Sequence, residues 1–160
     1  MPHIHEKIDF VSNVFIVNKG AVLLRIHDKY GFWLPVGGHI ELDEDPAEAA
    51  VREAKEEAGL DVTLIGGSPV ETGNGLYVKK EGRDILVPTF INRHFVNDVH
   101  EHISFEYFGV SESRNIKPGV GEKQDGFKWF TREELEEPEH DIAETIKRYA
   151  RAALETVNNL

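Results

Sequence analysis

Residues 38–60 read GHIELDEDPAEAAVREAKEEAGL, from Gly38 to Leu60. The acidic run Asp43-Glu44-Asp45 followed by Pro46 predicts the start of a helix, because carboxylates favour the positive end of the helix dipole and proline suits the first turn. Gly59 predicts its stop. Projected at about 100° per residue with Glu53 at zero, Glu56 falls at about −60° and Glu57 at about +40°, so three carboxylates share one arc. Ala47, Ala50, Val51, Ala54 and Ala58 span about +60° to +160° and predict the core face. Ala49 falls among the carboxylates, at about −40°, where its small side chain leaves room for an ion or a substrate. Like charges three and four residues apart repel by a few tenths of a kcal/mol per pair, so a helix built only for stability would intersperse lysines here. A hard divalent cation resolves the conflict. Magnesium prefers carboxylate oxygens, keeps several waters and bridges to substrate phosphates. With repulsion as the governing term, Glu57→Gln is expected to leave the fold intact or slightly stabilised.

Upstream, residues 8–17 alternate, with Ile8, Phe10, Val14 and Ile16 on one face, and Asn18-Lys19-Gly20 predicts a tight turn into Ala21–Ile26. That is a hairpin. Gly31, Pro35, Gly37 and Gly38 predict a loop in which the backbone can approach a ligand closely. Downstream, strands are expected over Val62–Ile65, Ile85–Phe95, Ile103–Val110 and near Phe127–Phe130, with turn-rich segments at 66–75 and 79–84. Thr131-Arg132-Glu133-Glu134 has capping-box spacing, and Ile142, Ile146, Tyr149, Ala150, Ala153 and Val157 repeat at helical period, which predicts a second helix packed on the sheet. The 160 residues contain no repeat and no dividing linker, so a single domain over 1–160 is expected.

Composition narrows the function. A net charge of −11 repels nucleic-acid backbones and anionic membranes. The absence of cysteine removes disulfides, thiolate metal sites and cysteine nucleophiles together. No apolar run resembles a signal segment or a membrane span, so a cytoplasmic location is expected.

Alone, the pattern E-x-x-E-E reads as a solvated acidic face. Its flanks decide otherwise: Gly38, five residues, Glu44, seven residues, then Arg52-Glu53-Ala54-Lys55-Glu56-Glu57-Ala58-Gly59-Leu60. This resembles the Nudix box, G-x5-E-x7-R-E-U-x-E-E-x-G-U with U aliphatic, at every specified position once Ala54 is allowed at the first U. The preceding Trp33-Leu34-Pro35-Val36-Gly37 also looks like the family. The resemblance implies an α/β/α sandwich around a mixed sheet, hydrolysing a nucleoside diphosphate linked to another group with Mg2+ or Mn2+. It matches Glu53, Glu56 and Glu57 to metal-binding glutamates and the Gly37 carbonyl to a backbone ligand. Glu44 and Arg52 match supporting positions, the arginine orienting a catalytic glutamate.

For the general base the resemblance implies either a box glutamate, Glu53 or Glu56, or one from a distant loop. For the loop, Glu101, Glu106 and Glu122 are candidates, with Glu122 favoured by its place in the segment 118–123 before the late strand. Glu106 shares a strand face with His100, His102 and Ser104 and could line a pocket. His94, His100 and His102 are read as polar surface or substrate pocket rather than as a zinc site. Substrate contacts are expected from Arg25, His27, Trp33 and Tyr77. Trp33 is weighed between stacking on a base and packing. Tyr77, 17 residues past the box, points to dinucleoside polyphosphates, whereas Gly75 stands where an ADP-ribose hydrolase would carry proline.

The expected substrate is therefore a nucleoside triphosphate or dinucleoside polyphosphate, cleaved by water attack at phosphorus. ADP-ribose or nucleotide-sugar hydrolysis, or a non-catalytic nucleotide-binding module, is the alternative. A purely structural acidic domain is a further reading. An isopentenyl diphosphate isomerase would need the cysteine that is missing. The expected partner is a small nucleotide-like molecule, with neither polymeric nucleic acid nor membrane, and a homodimer is left open.

Overall fold

The computed structural model describes residues 7–27, 31–65, 84–119 and 126–160. Its elements are β1 (Ile8–Asn18), β2 (Ala21–Ile26), β3 (Trp33–Leu34), β4 (Val36–His39), α1 (Pro46–Ala58), β5 (Thr63–Ile65), β6 (Phe90–Asn97), β7 (His100–Val110), β8 (Phe127–Phe130) and α2 (Glu144–Asn158). The strands form one mixed sheet. Its spine is the parallel pair β1 and β7, in register from Ile8 opposite Glu101 to Val17 opposite Val110. Each spine strand divides its outer edge between two antiparallel neighbours. β1 pairs β2 only beside the turn, at Val17–Val22 and Asn18–Ala21, and pairs β4 over Val11–Val14. β7 pairs β5 at its end and β6 over its first half. β2 and β4 therefore diverge, and the sheet forks.

A strand flanked on both edges and covered on both faces must be apolar on both, and β1 is buried continuously from Val14 to Asn18. Phe15 and Val17 join Val22, Leu24, Phe108 and Phe130 beneath Tyr149, Ala150, Ala153 and Leu154 of α2. Val14 and Ile16 join Leu23 and Tyr107 beneath Ala50, Ala54 and Ala58 of α1. The sandwich expected from the resemblance is the architecture found.

α1 spans the residues expected. Asp45 is its N-cap in a reciprocal capping box with Glu48, an arrangement worth about 1 kcal/mol, and Gly59 closes it in the left-handed region at φ 69°. Its last-turn carbonyls are met by Lys117 N–H on Ala58 O and Gly119 N–H on Glu56 O, at 2.9 and 2.7 Å.

Several expectations need correction. Ala49 is fully buried and Val51 is 38% exposed, so the buried face of α1 is turned toward the carboxylates by comparison with the projection. β4 packs against that side and recruits it. Residues 33–39, expected as a loop, form two short strands because β1 and β2 supply the hydrogen-bond partners. β6 begins at Phe90 rather than Ile85. The capping box at 131–134 is made, with Thr131 N–H on Glu134 Oε2 at 2.8 Å, but it opens only a single 3-10 turn, and α2 begins at Glu144.

Glu101, on β7, is buried between Lys7 at 2.7 Å and Arg93 at 2.5 Å. Arg93 first, then Lys7, hold its carboxyl at about 2, below the ordinary 4.5. A depressed carboxylate stabilises the fold above its unfolded pKa and loses that contribution as pH falls through the folded value. The urea midpoint of the wild type is therefore expected to exceed that of Glu101→Gln at pH 7, with the gap narrowing between pH 4.5 and 2. A gap that stays constant over this window would refute the assignment.

Candidate active site

The box residues converge on the Arg52 guanidinium. Arg52 donates from Nε and Nη2 to the two oxygens of Glu44, at 2.9 and 2.6 Å, in a bidentate fork. Nη1 donates to Glu53 Oε1 at 2.8 Å and to Glu56 Oε2 at 2.9 Å, and Nη2 also reaches the His39 carbonyl at 3.0 Å. The guanidinium lowers the Glu44 pKa, and Glu44 is the chief cause holding Arg52 protonated well above its ordinary value. Glu53 behaves oppositely. Burial raises its pKa against the opposing pull of Arg52, with Glu56 and Glu44 adding to the rise.

Glu57 lies beyond this network. Buried on the inner side of α1, it pairs with Arg25 of β2 and accepts the Gly37 N–H at 3.0 Å. Two of the three box carboxylates thus meet on Arg52, while the third turns to a second arginine. Groups of ligating side chains that close to within 4.8 Å among the described residues do not include the three box glutamates. Repulsion along the arc is relieved here by arginines on either side.

Two glycines let β4 lie close to α1 on one side and to β1 on the other. A Cβ on Gly38 would strike Glu53 Oε1 and lie 2.7 Å from its Cδ, and one on Gly37 would meet the Ser12 carbonyl and lie 2.7 Å from Asn13 Cα. The donors that Glu53, Glu56, Glu57 and the Gly37 carbonyl offer are oxygens alone, and Gly38 lets the Glu53 carboxylate lie against the strand where a side chain would displace it. Both features fit a hard divalent ion.

Where the sheet forks, a cleft of about 510 Å³ opens, lined by Arg25, His27, Gly37, Gly38 and Glu57 on one wall and by Asn92, His94, His102 and Tyr149 on the other. Its floor carries Asn13 and Glu106. Glu106 is 4% exposed, accepts from Ser104 Oγ at 2.6 Å and from Asn13 Nδ2 at 3.2 Å, and is pushed up in pKa by burial.

Of the expected substrate contacts, Arg25 and His27 line the cleft, although Arg25 is engaged by Glu57 and stands over the Phe127 ring at 5.9 Å. Trp33 does not line it. Its ring packs edge-on against Phe130 at 4.9 Å and against His140 at 6.4 Å, the packing alternative of the two weighed. Glu101 and Glu106 sit within β7 rather than in a loop. Tyr77 and Glu122 lie outside the described residues. Asn13, His39 and Asn92 were not singled out from sequence. Asn13, a lone amide between apolar strand positions, was the available signal.

Comparison with known proteins places this geometry. A family model described as NUDIX domain matches residues 9–152. Dihydroneopterin triphosphate diphosphatase of Haemophilus influenzae is 29% identical over 134 residues, 81% of this chain and 77% of its own. The crystal structure of a NUDIX-family hydrolase from Clostridium perfringens superposes with a TM-score of 0.81 at 38% identity, covering 93% of this chain and 97% of that one. An Ap4A hydrolase of C. elegans shares the fold at a TM-score of 0.66 and 18% identity, covering 95% of this chain and 99% of that one. The chain belongs to the NUDIX family and is a hydrolase of the pyrophosphohydrolase type.

Proposed function

We propose that this protein hydrolyses the triphosphate of a purine-like or pterin heterocycle with a divalent ion, water attacking at phosphorus to release pyrophosphate or phosphate. The observation that carries the reading is the Arg52 hub, which fixes Glu53 and Glu56 and holds Glu53 against Gly38, a residue that lines a cleft of ligand size together with Gly37 and Glu57. The triphosphate class is supported by the Haemophilus relative. The heterocycle is supported by Asn92, His94, His102 and Tyr149 on the far wall, which offer hydrogen-bonding groups around a flat polar ring.

Glu53, Glu56, Glu57 and the Gly37 carbonyl would hold the ion, Mg2+ or Mn2+. When bound, such an ion neutralises phosphate oxygens and lowers the pKa of water. Glu53 is the side chain suited to take the water's proton, since burial raises its proton affinity while Arg52 fixes its orientation. Arg52 is a positioning residue. It touches carboxylates, and its removal would free all three of its acidic partners at once. Phosphates enter an acidic protein here, and Arg25 and Arg52 are already paired with glutamates, so a bound ion would supply the positive charge that meets them.

The test is a panel of dihydroneopterin triphosphate, nucleoside triphosphates, diadenosine tetraphosphate and ADP-ribose in 18O-labelled water with Mg2+ or Mn2+. Turnover of a triphosphate is expected, with label in one phosphate product and none in the heterocycle or sugar, and with loss of activity in EDTA. Turnover confined to ADP-ribose, or independence of metal, would refute the reading.

Gly38→Ala should separate chemistry from stability. The new Cβ meets the movable end of Glu53 rather than backbone, so melting temperature is expected to change little while kcat falls by about tenfold or more. Full activity in this variant would show that Glu53 has no positional role.

Glu57→Gln is expected to behave differently from the sequence expectation. Because Glu57 is buried against Arg25, the variant leaves that arginine without its carboxylate and should lose about 1–3 kcal/mol of stability. Its turnover should fall by about 100-fold or more, as ligand loss exceeds the effect of removing a supporting group. Urea unfolding and single-turnover rates measure the two effects separately.

A further inference from the structure

At the edge of the cleft, three strands present ligating side chains of another chemical kind to one another. Asp9 of β1, His39 of β4, and His100 and His102 of β7 each offer one ligand atom, and the four atoms all lie within 4.8 Å of one another. Asp9 Oδ2 stands 3.3 Å from His100 Nε2 and 3.6 Å from His39 Nε2. A tetrahedral ion with nitrogen and oxygen ligands at about 2.0–2.1 Å spaces those ligands by roughly 3.3–3.4 Å, so both separations are already close to a coordination shell.

The register explains the convergence. Asp9 lies opposite His102 across β1 and β7, and Val11, two residues on, lies opposite His39 across β1 and β4, which puts all of these positions on one face of the sheet. The rings of His39, His94 and His100 stand edge-on around His102, with centroids 5.2, 5.4 and 5.0 Å away. Four imidazoles near one carboxylate make a poor ion-pair network, because their protonated forms repel.

We propose that Asp9, His39, His100 and His102 bind a transition-metal ion of the zinc class at a site distinct from the oxygen-donor set of α1. Three imidazole nitrogens and one carboxylate favour such an ion over magnesium, which prefers oxygen ligands alone. The inference does not rest on the hydrolytic reading. Its consequence is local: the ion ties β1, β4 and β7 together and sets a fixed positive charge beside His39 and His102, which both line the cleft. By contrast, the group Glu137, Glu139 and His140 has its imidazole Nε2 2.8 Å from the Lys128 ammonium, which disqualifies it.

Cobalt(II) is the probe, since four-coordinate nitrogen-ligated cobalt absorbs strongly in the visible and six-coordinate oxygen-ligated cobalt only weakly. Titration of the full chain is expected to give one equivalent of the intense spectrum, discharged by zinc. His102→Ala, and separately His39→Ala at a side chain 63% exposed and therefore safe for the fold, should each weaken that binding by about tenfold or more. Circular dichroism reports that the variants are folded. Glu56→Gln should leave the intense spectrum in place. Weak six-coordinate bands alone, an intense spectrum that survives both histidine variants, or its loss in Glu56→Gln would each overturn the proposal.

Discussion

The Arg52 guanidinium determines where the acidic half of the site stands. Its planar fork grips both oxygens of Glu44, joins Glu53 to Glu56 through one nitrogen, and ties the strand end at His39 to the helix. A lysine offers a compact charge with no fork, and could not serve acceptors spread over a loop, a strand and two turns of helix. The hub also changes the meaning of the carboxylate row. Repulsion along that row suggested a cation, and the protein supplies two of its own in Arg52 and Arg25. A divalent ion entering here joins an electrostatic balance that the arginines have already set.

That balance depends on close approach. Ala50, Ala54 and Ala58 let α1 settle onto Val14, Ile16 and Leu23, while Gly38 lets β4 pass beside Glu53 and Gly37 lets it lie close on Ser12 and Asn13 of β1. Glu57 is buried as a result, and its pairing with Arg25 and the Gly37 N–H compensates for the lost solvation. Small residues in the core face and charged residues at its border are therefore parts of one arrangement.

What could be read from the sequence was what is local. The limits of α1 follow from Asp45, Pro46 and Gly59, whose effects reach only a turn in either direction, and the β1–β2 hairpin follows from the turn at 18–20. The family resemblance carried by the box reached further, since it implied the sandwich and gave Arg52 the task of orienting a glutamate. Long-range choices were not legible. β3 and β4 look like loop until β1 and β2 provide partners, and Trp33 turns to Phe130 because β8 arrives nearly a hundred residues later. The exchange of Ala49 and Val51 between core and surface depends on where β4 packs, which no helical projection contains. His100 and His102 read as polar surface or substrate pocket, and their neighbours Asp9 and His39 are brought beside them only by strand register.

The fork between β2 and β4 has an evolutionary consequence. The two prongs leave β1 at different heights, so the residues that would meet a substrate lie mostly on strand halves and connections outside the two apolar clusters that hold the helices. On the proposed reading, exchanges at the cleft-lining Asn92, His94 or Thr145 would retune which molecule is accepted while the layers beneath keep their packing. A scaffold divided in this way can drift in diet without drifting in shape.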